Sequence, residues 1–475
     1  MTAILSPPAT PAPPRQHLGL PLLVLAAAQL VISLDFNIVY VALPAIDADL
    51  GFGGQDLQWV VSAYVVATGG LLLLGGRAAD LLGRRRMFVL AALLYAGSSL
   101  VGGLSGSAAV LVAVRAVQGV GGALLFPATV SLINTIHEEG PSRNRALAVW
   151  GAAGAGGLCF GSLLGGVLVE TFGWPAVFLV NVPLAGAIAL AGWLLFPADR
   201  PPSRRRRFDV LGALTATTGV TSLVVALVRA PEAGWGSRSV TGCAALAALS
   251  LALFALVESR ARDPLVPARL LAHRSLITAM LLAAVFSATF SSMPYFLTLY
   301  FQTLHGYGAF TTGLAFLLPA VLIAAGTQAG GKAASAFGAR PTLLGGMLLG
   351  AAGAALLGLA LTAPGSGSYA FLLPGTVLLS LGQGAAWTGI WITAAAGVAP
   401  ADQGVASGMA STALQVGGAV GLALLVGAAD SGGGSLAGAG LLDGLRTAVF
   451  VIAAGICCGA LVSLALRKSP VRTGL

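Results

Sequence analysis

The chain has 475 residues, 57% of them hydrophobic and only 9% charged, with a net charge of +9 and a mean hydropathy of +0.91. A soluble domain carries about a quarter charged residues, so the composition excludes one and identifies a polytopic membrane protein. Membrane topology accounts for the basic surplus, and no nucleic-acid partner is needed to explain it.

The first sixteen residues, MTAILSPPATPAPPRQ, are too rich in proline for a helix. They read as a disordered cytoplasmic tail reaching residue 19. The apolar run that follows is too long for a signal peptide and lacks a clear small-residue cleavage site. A hydrocarbon core of about 30 Å takes roughly 20 apolar residues per helix. Runs of that kind fall near 20–46, 57–75, 87–104, 108–133, 147–169, 176–196, 210–227, 240–257, 276–303, 311–329, 343–361, 369–398, 405–428 and 447–466, about fourteen spans. An even number puts both termini on one side. All but four of the 25 basic residues lie on that side; the exceptions are Arg229, Arg238, Arg446 and Arg115, the last inside a span. Lysine and arginine collect in the cytoplasm, so both termini are expected there.

Cys159, Cys243, Cys457 and Cys458 lie in apolar segments without metal or disulfide spacing, and His17, His137, His273 and His305 are scattered. No metal, cofactor or catalytic triad is expected, and neither is an enzyme.

Two internal repeats are visible. GRAADLLGRRR, from Gly76 after the second span, returns as GKAASAFGARP, from Gly331 after the tenth; Gln118 and Gly119 of the fourth return as Gln383 and Gly384 of the twelfth. An offset of eight helices implies an all-α fold of two six-helix bundles, 20–197 and 259–475, with two helices inserted between them. The insert, 198–258, begins with the basic loop DRPPSRRRR.

These motifs resemble the major facilitator superfamily, in its fourteen-span drug:proton antiporter branch. The loop signature is matched by Gly76, Asp80, Gly83, Arg84 and Arg85, and LDFNIVYVALP resembles the first-helix signature with Asn37 where Thr is usual. Arg115, Gln118 and Gly119 match the fourth-helix signature. GLCFGSLLGG resembles the fifth-helix antiporter motif through Gly157, Gly161, Gly165 and Gly166, with Ser162 in place of its proline. The resemblance implies a monomeric exporter of small amphipathic organic molecules in a bacterial cell membrane, driven by protons through alternating access. A proton-coupled importer of a nutrient is the other reading of the same fold.

Physical chemistry gives each motif a task. Gly76 and Gly83 are expected to turn a short loop, while Asp80 with Arg84 and Arg85 forms a latch between bundles or against a helix terminus. Gly151, Gly154, Gly157, Gly161, Gly165 and Gly166 are expected to form one face for close helix packing. Asp35 alone among the 16 acidic residues sits near the middle of a span. A carboxylate there is costly unless paired, and beside a cation it can change protonation state. Asp35 is therefore the candidate proton carrier and Arg115 its partner. Asn37, Tyr40, Tyr64 and Gln118 are candidates for hydrogen bonds to substrate. The pairs Trp387 and Trp391, and Phe286 and Phe290, each one turn apart, are candidates for an aromatic cavity lining. Ser335 and Ser380 stand at the second-half positions of Asp80 and Arg115, so coupling is expected in the first bundle.

Overall fold

The computed structural model describes residues 19–52, 57, 59–199, 209–261, 264–361, 369–431 and 440–466. The expected tail up to residue 18, the arginine run 204–207 and the C-terminal residues from 467 lie outside the described residues. Within them every regular element is helical. Long apolar runs leave no alternative in lipid, where each backbone N–H and C=O must be satisfied within its own segment.

The first half comprises α1 (Leu20–Leu50), α2 (Trp59–Leu82), α3 (Arg84–Gly103), α4 (Ala108–Ile136), α5 (Pro141–Phe172), and α6 (Pro175–Leu179) running almost directly into α7 (Asn181–Leu195). The inserted pair is α8 (Val210–Ala233) and α9 (Arg238–Arg260). After the short α10 (Ala268–Leu271) the second half comprises α11 (Arg274–Thr289), α12 (Met293–Leu299), α13 (Ala309–Ala315), α14 (Leu317–Phe337), α15 (Ala339–Ala360), α16 (Tyr369–Ala395), α17 (Gln403–Ser431) and α18 (Leu441–Ser463). Twelve of the described helices are long and apolar enough to cross a membrane, and α5, bent by 42° between Leu158 and Leu163, makes a thirteenth if counted as one span. The uninterrupted apolar part of α8 is shorter, Leu211–Leu227.

In the first half α1 packs on α5, α2 and α3 on α4, and α3 on α7; in the second α16 packs on α14 and α15, α11 on α17, and α15 on α18. The halves meet where α2 lies along α17 and α5 along α14. The inserted α8 packs on α2 and α17, and α9 leans chiefly on α8. Leu246, Leu249, Leu253 and Leu256 of α9 stay exposed, a stripe at helical spacing suited to acyl chains.

Small residues set these distances. A Cβ on Gly76 would lie 2.2 Å from the Gly404 carbonyl oxygen, and one on Gly75 2.1 Å from that of Ala123. Gly76 is thus no turn residue, as the loop reading had it: it lies inside α2 and lets α17 come close. The turn belongs to Gly83 alone, whose φ of 103° favours glycine.

Candidate functional site

Asp35 stands at the midpoint of α1, fully buried. Its Oδ2 accepts from Arg115 Nη1 at 2.7 Å. Its Oδ1 accepts from Gln118 Nε2 at 2.9 Å and from Asn181 Nδ2 at 2.6 Å. Arg115 is held independently: Nε donates to the Val60 carbonyl at 2.8 Å, Nη1 to Gln118 Oε1 at 2.7 Å, and the guanidinium lies 4.5 Å from the centre of the Tyr64 ring. Gln118 also donates to Ser99 Oγ at 3.0 Å. The centre draws on α1, α2, α3, α4 and α7, all in the first half. Chemically it is a carboxylate with three donors, beside a cation that keeps two other acceptors if the carboxyl becomes neutral.

Three expected cavity groups turn out to be occupied. Tyr64 and Gln118 are buried within this network rather than free for substrate, because Arg115 needs a π face and an acceptor where lipid supplies neither. Asn37 donates from Nδ2 to the Leu158 carbonyl at 2.7 Å, where α5 bends. Tyr40 is exposed on α1 beside Phe36, ring centres 5.7 Å apart.

A second cluster joins the halves at the end where α2 and α4 finish and α5 and α17 begin. Asp80 accepts from the Gly404 and Val405 N–H groups at 3.1 and 2.9 Å and from Arg84 at 2.9 Å. The carboxylate thus faces the positive end of the α17 dipole. Arg84 also donates to the Pro400 carbonyl. Asn134 Nδ2 donates to Gln403 Oε1 at 3.0 Å, and Asn144 Nδ2 to Ser335 Oγ at 3.2 Å. Ser335 therefore meets the start of α5 much as Asp80 meets the start of α17, with a neutral pair in place of a charged one. Arg85 donates to the Trp193 carbonyl and stacks on its ring at 4.2 Å, while its N–H and that of Arg86 donate to Asp199 at 3.1 and 3.0 Å. A Cβ on Gly83 would stand 2.3 Å from the Asp199 carboxyl carbon. Beside this cluster His137 is buried, and desolvation first, then the Arg143 guanidinium, holds its imidazole below the ordinary histidine value.

On α5, Gly157, Gly161 and Gly165 lie against the Leu30, Leu34 and Ile38 carbonyls of α1, where a Cβ would approach to 2.4, 2.5 and 3.1 Å. Gly166 has nothing within 4 Å. It is one residue, or about 100°, past Gly165 and so leaves the face expected to include it. The backbone of Ser162 lies within the bend.

The aromatic residues divide. Trp387 meets Trp150 of the first half, and Trp391 meets both Trp150 and Phe126, with ring centres 5.5 to 5.9 Å apart. Phe290 instead lies in the core of the second half, where a Cβ on Gly350 would come within 2.3 Å of its ring. The lining expected of it is not formed, because that glycine draws the ring inward.

A family model described as the Major Facilitator Superfamily matches residues 25–422. The chain belongs to that superfamily. It is a multi-pass cell-membrane transporter and not an enzyme. Among its relatives it is 40% identical over 413 residues to the puromycin resistance protein pur8 of Streptomyces alboniger, covering 87% of this chain and 81% of the other. It is 39% identical over 461 residues to the cephamycin export protein CmcT of Amycolatopsis lactamdurans, covering 94% and 93%. Among solved structures the human organic anion transporter MFSD10 superposes with a TM-score of 0.70 at 16% identity, over 95% of this chain and all of that one. The proton:xylose symporter XylE gives 0.66 at 16% identity, over 93% and 94%. At such identities these two speak for the major facilitator fold alone.

Several residues placed by this superfamily architecture escaped the sequence reading. Asn181 was detectable as a lone amide in the apolar run VFLVNVPLAGAIAL, which in lipid asks for a partner. Asp199 and Trp150 carried no such signal. Their roles arise only where α3 meets the end of the first half and where the two halves meet.

Proposed function

We propose that the chain is a proton-coupled exporter of small amphipathic organic molecules of the antibiotic or natural-product kind. It crosses the membrane fourteen times, with α5 and α8 counted as spans, and has both termini in the cytoplasm. The Asp80 cluster then closes the cytoplasmic side, and the conformation is outward-facing. Its mechanism is alternating access: the halves rock about their interface while the substrate site lies between them. Asp35 takes up a proton from outside and releases it inside. Protonation dissolves the ion pair with Arg115, which keeps Val60 and Gln118 as partners and so moves between two states without becoming stranded. The relatives named for resistance and export support the outward direction.

The observation that carries this reading is the carboxylate buried at the midpoint of a span and paired to one arginine. Inverted vesicles with an imposed pH gradient test it. Asp35→Asn, which keeps the size of the side chain, removes the titrating group and leaves Arg115 its Val60 and Gln118 acceptors, should still insert and, at matched membrane expression, abolish gradient-driven accumulation. Accumulation equal to wild type would sink the assignment. Net uptake by right-side-out vesicles under the same gradient would favour the importer.

A further inference from the structure

Between the Asp35 centre and the Asp80 cluster lies a layer of large rings contributed by both halves. Trp150 and Trp387 are stacked, planes 15° apart and centres 5.9 Å apart, and Trp391 meets Trp150 edge-on at 83° and 5.6 Å. Trp150 and Trp391 are essentially inaccessible. Gly151 makes the stack possible, since a Cβ there would stand 2.7 Å from Trp387 Cδ1. The indole N–H groups of Trp150, Trp387 and Trp391 are all buried and, among the described residues, have no hydrogen-bond partner. A buried indole ordinarily finds an acceptor, and three unmet donors in one layer indicate that acceptors arrive in another conformation. When the halves part at this end, the Trp150 ring leaves those of Trp387 and Trp391. Flat apolar faces then become accessible together with three donors, with no acceptor and no carboxylate among these rings.

Resting on the exporter reading, we propose that this layer is the substrate-recognition site of the opposite, inward-facing conformation. Its ligands are planar polycyclic molecules carrying hydrogen-bond acceptors, such as ring carbonyls and phenolic oxygens. The rings stack on the molecule and the freed indole N–H groups donate to its oxygens. Planar molecules whose polar groups are all donors or cationic find faces but no partners.

The test uses the full chain in lipid nanodiscs and calorimetric titration with two planar probes. Emodin is a tricyclic quinone rich in acceptors; ethidium is a polycyclic monocation whose amino groups only donate. Emodin should bind. Trp150→Phe and Trp391→Phe, which keep a ring and remove the donor, should each weaken it about tenfold, the worth of one hydrogen bond, and leave ethidium unchanged. Asp80→Asn, by loosening the closed state, should tighten emodin by raising the competent population. Wild-type emodin affinity in both phenylalanine variants, or no emodin binding by the wild type, would overturn the proposal. If emodin binds and the variants weaken it but a pH gradient moves no emodin, the recognition site stands and the export reading falls.

Discussion

Asp35 is satisfied by donors from two other helices, Arg115 and Gln118 on α4 and Asn181 on α7, and this sets what substitution should do. Removing one partner of a buried ion pair costs about 3–5 kcal/mol, whereas removing both charges costs far less. Arg115→Leu should therefore lower thermal stability in detergent severely, and adding Asp35→Asn should restore most of it. A double variant as unstable as the single one would mean that Arg115 is held mainly by Val60 and Tyr64. Arg115→Lys should fold yet transport poorly, since one ammonium cannot span Asp35, Gln118 and the Val60 carbonyl as the planar fork does. Asp35 and Arg115 were legible in the sequence because an isolated charge in an apolar run has few physical reasons to exist. The burial of Tyr64 and Gln118 was not, because one sequence does not say which polar group in a span serves the protein and which serves the substrate.

For the helices, the legible feature was the repeat and the hidden one was the use made of it. Both copies end on a glycine of positive φ, 103° at Gly83 and 90° at Gly338, so any side chain is strained at either. At Gly83 a carboxylate, that of Asp199, already stands where the Cβ would go, bound to the first N–H groups of α3. Gly83→Ala should therefore impair both folding yield and transport, and Gly338→Ala, in the copy where a neutral Ser335–Asn144 pair replaces the contacts of Asp80, should be milder. Equal loss at matched membrane expression would count against the asymmetry. Trimming the obstruction with Asp199→Ser in the Gly83→Ala background should recover part of the yield. That Gly76 is a contact residue rather than a turn residue escaped the sequence because glycine answers both needs, and only the position of α17 separates them.

At the scale of the whole molecule, most spans and the two-fold repeat were readable from apolar length and motif spacing. The bend of α5 and the placing of α8 on α2 and α17 follow from packing that no single segment encodes. The distribution of charge leads to the last prediction, which concerns substrate charge. A dication in low dielectric needs two acidic groups close by, each uncompensated charge being costly. Among the described residues Asp35 is the acidic residue at mid-span, its oxygens already accept from three side chains, and Arg115 stands 2.7 Å away. Asp80 is committed to the start of α17. Once a proton neutralises Asp35, the interior is neutral or slightly positive. Neutral or weakly acidic amphiphiles should be exported best, lipophilic monocations poorly, and dications not at all. Expression in a host lacking its own pumps should raise the inhibitory concentration of neutral antibiotics several-fold and leave that of a lipophilic dication unchanged. Wild-type resistance to the dication would show that the interior accepts a second positive charge, and the charge argument would fail with it.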